Sequence, residues 1–533
     1  MKSDRQKSWD VIVVGSGLGG LTAASILAQS RQCRVLVLEK HAVAGGFTHS
    51  FKRRGFSWDC GLHYVGEVSD NQFTGRLFSA VTKNSVKWQR MPDIFEQMVF
   101  PDFTFGFSSN PLKFQNDLIE KFPGEEEAIR NYIFDIKTCC RLYPIAKFTK
   151  LERRSRPQQS YCFEMRGDGH PYMTTQNYLD LNFRCQKLKA LLTAQWGNYG
   201  LPPSESAFIA HAMIAGHYLN GAYYPVGGAR TIADSITRII EDNMGEVICN
   251  RDVKEIICSN GCVTGVRAVN LTTGEDEVFH APVVISNTGV YSTYIRLLPE
   301  NIEIPFREEI KQNAEKGTSA ITLYIGFKDN PAKLGLNGEN YWIYYDYNHN
   351  LCGFDQLVNG KELATFLSFP SLKDASCRNG RHTAESIIFM RYEGFEKWMG
   401  QPWSKRDLEY KQLKNRISLV LIENLERLFP GFSEMVAFHE LSTPLSVEHF
   451  SSHYRGNIYG MPVTPERMEK PWCSTFSPIS GLFLSSTDTS LPGIAGALTS
   501  GAVSAAGILG KRSITSILSL LENKTEYAQV VTC

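Results

Sequence analysis

Gly15-Ser16-Gly17-Leu18-Gly19-Gly20 carries glycines at the spacing of a phosphate-binding turn. Gly15 permits the tight turn, Gly17 lets backbone approach a pyrophosphate, and Gly20 lets a helix pack close on a strand. The free N–H groups and the positive helix end at such a turn hold phosphate. Glu39 follows at roughly 20 residues, where a carboxylate accepts from ribose hydroxyls and repels a 2′-phosphate. Other spacings point away from metals. His449 and His453 are four apart, but no carboxylate or third histidine completes a set, so no metal is expected. His211 and His217 do not share a helical face and read as structural. The thirteen cysteines, including Cys139-Cys140 and the Cys258–Cys262 interval, form no zinc framework and read as free thiols of a reducing compartment.

The elements that must hold these residues follow from the pattern. Trp9 to Val14 is a buried parallel strand, Leu21 to Gln29 a helix, and Arg34 to Leu38 a second strand ending at Glu39. Tyr224-Pro225-Val226-Gly227-Gly228-Ala229 opens a helix over Thr231 to Asn243. Strands are expected at Gly245–Cys249, Val253–Cys258 and Val263–Asn270, then a strand and turn at Val283–Gly289. Ala320–Phe327 reads as a strand, Lys405–Leu428 as a helix, and Thr443 to Gly456 as loop around His449 and His453. Gly481 to Asp488 is a last strand, followed by a helix beginning near Gly496.

Composition sets the outer limits. At 533 residues the chain should divide into two closely connected domains. With 56 Lys plus Arg against 55 Asp plus Glu, nothing calls for a nucleic-acid partner. Lys147, Lys150, Arg153, Arg154 and Arg156 form a basic stretch, read as a solvated face or as a contact for anionic lipid headgroups. Met1 to Trp9 is polar, with no apolar signal core, so a cytoplasmic protein is expected, with peripheral membrane contact as an option. Thr489 to Gly510 is uncharged and long enough to span a bilayer. Its Gly, Ala, Ser and Thr lack apolar bulk, and a buried helix beside a cofactor is the preferred reading.

Beyond Glu39-Lys40 the chain runs on to Gly45-Gly46, as Glu-x5-Gly-Gly. That extension resembles the flavoenzyme group of amine oxidases and phytoene desaturases, and implies FAD. Four blocks extend the likeness: Gly15 to Gly66, ending Gly61-Leu62-His63-Tyr64-Val65-Gly66; Gly221 to Arg230; Thr443-Pro444-Leu445 with Tyr459-Gly460; and Gly481 to Gly510. On these the chain resembles the phytoene desaturase superfamily, and within it the all-trans-retinol 13,14-reductase group, near the carotenoid isomerases.

The resemblance implies an α/β fold. A discontinuous Rossmann-like FAD-binding domain would take residues 8–70, 221–290 and 456–512. An α+β substrate domain would take 71–220 and 291–455, leaving 513–533 as a tail. The cofactor residues implied are Gly15, Gly17, Gly20, Glu39, Lys40, Gly45 and Gly46, with Val253 holding adenine through its backbone. Asp488 would accept from the ribityl hydroxyls, and Gly496 and Ala497 would lie at the positive end of a helix aimed at the pyrimidine edge. Ser486 departs from the glycine common there.

The activity implied is that of an FAD-dependent oxidoreductase on CH–CH groups, saturating a double bond of a retinol-like polyene. A carotenoid desaturase, a cis–trans isomerase and a flavin-stabilised lipid carrier without turnover are the alternatives. His63 and Tyr64 are the candidate proton donors, with Glu67 a weaker one; His63 could equally serve only to hydrogen-bond backbone. No second glycine fingerprint occurs, so reduction would come from a transiently docked NAD(P)H or from another protein. Oligomeric state is left open.

Overall fold

Val11–Val14 and Val35–Leu38 are wholly apolar, and each becomes a strand buried on both faces. In this computed structural model, which describes residues 9–30, 33–152, 164–374, 376–377 and 380–510, they form the centre of a five-stranded sheet. Its order is Leu482–Leu484, Val283–Ser286, Val11–Val14, Val35–Leu38 and Glu246–Ile248, and every pairing is parallel. The helix Leu18–Gln29 crosses the final helix, Gly493–Leu509, through small residues. A Cβ on Gly501 would meet the Gly19 carbonyl oxygen at 2.3 Å, and one on Gly19 would meet that of Ser485 at 2.0 Å. The uncharged stretch is therefore a buried helix of this layer. Among the described residues no helix is long and apolar enough to cross a membrane.

A second sheet has seven strands, in the order Val436–Ser442, Ser319–Phe327, Thr383–Met390, Thr365–Ser368, Asn340–Ile343, Ile94–Val99 and Thr104–Ser108. Only Asn340–Ile343 and Ile94–Val99 run parallel. Alternation along the strands sorts the two faces. Ile321, Leu323, Ile325, Leu367 and Ile388 pack under the helix Leu408–Leu428. The opposite residues, among them Ala320, Trp342, Phe366 and Ile387, join a separate aromatic core. The strands of the five-stranded sheet come from 8–70, 221–290 and 456–512, and those of the seven-stranded sheet from 71–220 and 291–455. The tail 513–533 lies outside the described residues.

Several local expectations need correction. The first helix begins at Leu18, since Gly19 and Gly20 are helical where close packing leaves no room for a Cβ. The last helix begins at Gly493, not near Gly496. The three strands expected between 245 and 270 divide: Glu246–Ile248 joins the parallel sheet, while Arg251–Ser259 and Cys262–Asn270 form a meander with Asp276–His280. Thr443 to Gly456 is not all loop, because Pro444–Ser451 is a helix. Thr443 caps it in a reciprocal box with Ser446, and proline occupies the first turn.

The basic stretch is not uniformly solvated either. Lys147, half-buried on the helix Glu126–Glu152, donates to the Thr489 carbonyl at 2.8 Å, and burial lowers its pKa. Arg153, Arg154 and Arg156 lie outside the described residues.

Candidate functional site

The strands Val11–Val14 and Val35–Leu38 end at a single cavity of about 1010 Å³. Of the residues singled out from the sequence, Gly15, Gly17, Glu39, Lys40, Gly45, Gly46, His63, Tyr64, Val253, Asp488, Gly496 and Ala497 all border it. Gly20 does not. It lies beneath the turn, where a Cβ would meet the Gly15 carbonyl oxygen at 2.4 Å.

The glycine end is built by close approach. Gly15 and Gly45 have φ of 92° and 122°, a region that L side chains avoid. Gly17 bridges Gly45, and a Cβ on Gly46 would meet the Gly17 Cα at 3.0 Å. A Cβ on Gly17 would meet Asn287 Nδ2 at 2.6 Å. Two helices, Leu18–Gln29 and Gly493–Leu509, start at this wall without a side-chain cap, so their first N–H groups have no side-chain acceptor. Uncapped amides, helix dipoles and a cradle free of Cβ atoms suit an extended phosphate-linked ligand.

Glu39 is fixed by Ser16, whose amide and hydroxyl donate to Oε2 at 2.8 and 2.5 Å, and by the His41 amide at 2.7 Å from Oε1. Lys40 Nζ donates to Ser452 Oγ at 2.6 Å. Val253 lies on the strand Arg251–Ser259 beside a bulge that breaks its register with Cys262–Asn270.

Asp488 is buried in the short turn Thr487–Thr489. Its two oxygens accept from the amides of Val290 and Met461, each at 2.7 Å. One further lone pair remains on each oxygen. Ser486 Oγ caps the same turn, accepting from the Asp488 amide at 3.3 Å. Behind it the buried Arg467 guanidinium donates to the carbonyls of Met461, Thr487, Asp488 and Ser490.

The far end of the cavity is aromatic and aliphatic, with Trp342, Phe366, Ile387, Phe389, Tyr218 and Tyr64 in its wall. The run Gly61 to Gly66 crosses it. Val65 is pinned by a two-way bridge to Tyr223, and the Gly66 amide donates to His217 Nε2 at 2.8 Å. A Cβ on Gly66 would meet the His217 carbonyl oxygen at 1.9 Å, which explains the glycine. His211 is buried away from the cavity, hydrogen-bonded to Tyr132, and burial pushes it down to about 3. Glu67 approaches His217 Nδ1 at 3.3 Å.

His63 and Tyr64 differ in their surroundings. Tyr64 stacks on Tyr218 with ring centroids 4.3 Å apart, and its hydroxyl accepts from Asn198 Nδ2 at 2.7 Å. Burial, with Glu96 beside it, raises the phenol well above its ordinary range. The His63 Nδ1 is 2.7 Å from Glu385 Oε2, and its main-chain carbonyl accepts from Lys373 Nζ at 2.9 Å.

Sequence reasoning missed this buried charge set. Glu96 accepts from Trp342 Nε1 and Gln195 Nε2 at 2.8 and 2.5 Å, and burial raises it to about 7. Asp59 accepts from Tyr224, Ser50 and the Ala229 amide, and burial raises it to about 6. Lys373 is lowered to about 7 by burial, against the pull of Glu385, Glu96 and Asp59. Lone charges inside the apolar runs Ile94–Val99 and Thr383–Met390 were the available signal.

The chain is similar to the all-trans-retinol 13,14-reductase of Danio rerio, at 31% identity over 95% of this chain and 86% of the relative. It is similar also to the chloroplastic prolycopene isomerase of Arabidopsis thaliana, at 27% identity over 85% and 74%. A solved putrescine oxidase superposes with a TM-score of 0.62 at 14% identity, covering 94% of this chain and 99% of that one. That likeness carries the fold, a mixed α/β architecture of the amine-oxidase kind. The model of the family described as flavin containing amine oxidoreductase matches residues 18–509. A cavity floored by uncapped helices at one end and walled by aromatics at the other thus belongs to a flavin-containing amine oxidoreductase family member, and this chain is one.

Proposed function

We propose that the protein is an FAD-dependent enzyme that adds two hydrogens across one carbon–carbon double bond of a lipophilic polyene, retinol or a related isoprenoid. The observation that carries this reading is the continuity of the cavity, glycine-lined at one end and aromatic at the other. Its volume of about 1010 Å³ is at the upper end for a single small-molecule pocket and leaves space for two ligands.

In this reading residues 8–70, 221–290 and 456–512 carry FAD, and 71–220 and 291–455 carry the substrate. Gly15, Gly17, Gly20, Gly45 and Gly46 accommodate the phosphates, Glu39 takes the ribose, and Val253 meets adenine through its backbone. Lys40 braces the same end. Asp488 turns its remaining lone pairs to the ribityl hydroxyls, and the amides around Gly496 and Ala497 face the flavin edge.

Bound there and reduced, FAD would supply the hydride for one alkene carbon. His63 gives the proton to the neighbouring carbon from Nε2, the nitrogen turned from Glu385. Tyr64 is held by Asn198 beside Glu96 and serves as wall. Trp342, Phe366 and Ile387 hold the polyene and keep water out. Reducing equivalents come from a transiently docked NAD(P)H. A cytoplasmic protein touching a membrane peripherally would meet such a substrate directly. Trp403 and Phe450, both 40% exposed at the cavity rim on the side of His41, are apolar groups suited to such a contact.

The test is anaerobic reduction of the bound flavin, addition of all-trans-retinol, and mass spectrometry of the extracted lipid. Reoxidation with a gain of two hydrogens is expected. A loss of two hydrogens or an unchanged mass, across a panel of polyenes, would replace saturation by desaturation or isomerisation. Failure of every polyene to reoxidise the flavin would leave a lipid carrier.

A further inference from the structure

Glu385 is fully buried, on the strand Thr383–Met390, on the same face as Ile387 and Phe389. Its cross-strand partners are Tyr324 and Ser368, yet neither carboxylate oxygen accepts a well-formed hydrogen bond from them or from any other described group. Its Oε2 nevertheless lies 2.7 Å from His63 Nδ1, off the line of a hydrogen bond but at ion-pair distance. A buried carboxylate without donors is costly unless a cation stands beside it. Lys373 is close, but its ammonium donates to the His63 carbonyl, Asn340 Oδ1 and Ser368 Oγ, not to Glu385. The imidazole of His63 is thus the group that meets the carboxylate directly. The two ring nitrogens point apart, and His63 borders the cavity.

We propose that Glu385 is a positioning residue, which holds His63 as the imidazolium with its Nε2–H presented to the substrate chamber. This rests on the reading of His63 as the proton donor to a polyene. In each turnover the alkene π bond breaks and two C–H bonds form. One would take hydride and its electron pair from the reduced flavin that the cavity would hold; the other takes the proton from His63 Nε2. Neutral imidazole then recovers a proton from solvent.

The same carboxylate, left without a partner by neutral histidine, favours that recovery. The titratable groups facing Glu385 are Asp59 and Cys60 from the approach to the His63 run, Tyr224 from the strand Tyr223–Pro225, Tyr324 from Ser319–Phe327, and Lys373. Glu385 is the group that stands at ion-pair distance from Nδ1, while Lys373 reaches only the His63 carbonyl, so Glu385→Gln removes the specific charge and leaves the background of the others.

The measurement is a histidine-selective carbon-13 NMR titration of the FAD-loaded, full-length protein, with the His63 signal identified by its loss in His63→Asn. In Glu385→Gln the His63 midpoint falls by at least about one pH unit, the displacement expected when an adjacent opposite charge is removed. Glu385→Asp, with its charge one methylene further back, falls between. For reduction of all-trans-retinol, Glu385→Gln lowers kcat about tenfold and moves the upper limb of its pH profile to lower pH, while KM stays within about twofold. A His63 midpoint that does not move in Glu385→Gln, or in Glu385→Asp should the first variant not fold, overturns the proposal. The titration needs no substrate, so its failure is separate from failure of the polyene reading, which only turnover can decide.

Discussion

The Lys373 ammonium donates to the main-chain carbonyl of His63 at 2.9 Å, joining residues 310 apart in the chain. It also donates to Ser368 Oγ at 2.6 Å and to Asn340, and so fastens the His63 run to the seven-stranded sheet. Lys373→Met would leave those acceptors unpaired and the nearby carboxylates without their cation. Leaving a buried acceptor without its donor costs about 1–3 kcal/mol. A lower midpoint in urea denaturation of the flavin-loaded protein is expected, and a loss under about 1 kcal/mol would count against this role.

At Gly17 the space is already taken. A Cβ there would meet Asn287 Nδ2 at 2.6 Å, and the residue borders the cavity where phosphate should approach. Gly17→Val should give a folded but colourless protein, checked by the visible flavin bands and by circular dichroism. A fully yellow variant would refute the cradle.

His63→Ala removes a side chain at the aromatic end, with the glycine end untouched. Flavin content should match the wild type, while lipid reduction falls by about 10²–10⁴-fold, the usual span for loss of a general acid. Stopped-flow reoxidation of the reduced flavin by all-trans-retinol measures it. An unaltered rate would return His63 to a structural role.

Asp59 gives a pH prediction whose sign is fixed by burial. Its carboxyl is raised from 3.8 to about 6 in the folded chain. The folded state therefore binds the proton more tightly than the unfolded state. This contribution to stability is fully present below about pH 4 and is lost as pH rises through about 6. Asp59→Asn lacks the titration. Measured against the variant, the wild type should lose about 2–3 kcal/mol between pH 4 and pH 7. Parallel thermal midpoints across that range would contradict it.

What could be read from the sequence was whatever local geometry dictates. Gly15, Gly45 and Gly46 answer to backbone angles, and Glu39 to the end of a strand, so their types and spacing sufficed. The capped helix Pro444–Ser451 carries the same kind of signal in Thr443-Pro444 and Ser446, but Thr443-Pro444 and Gly456 read equally as the two brackets of a loop. Glu385, Lys373, Glu96 and Asp59 meet only because the seven-stranded sheet, the hairpin of Ser50–Arg53 with Phe56–Asp59, and the short helix Pro370–Lys373 converge. No spacing within one segment encodes that meeting, although a charged residue at an inward strand position hinted at it. Lys147 misled for the opposite reason, since a run of like charges says nothing about which member turns inward to a carbonyl.

Arg467 grips four carbonyls around the Asp488 turn, while Asp488 grips two amides from other segments. The entry to the last helix is thus frozen from behind before any ligand arrives. A long, many-jointed molecule settling there would surrender its own freedom but demand almost none from the wall. Tight retention through purification should therefore owe more to rigidity inherited from folding than to any one contact made on arrival.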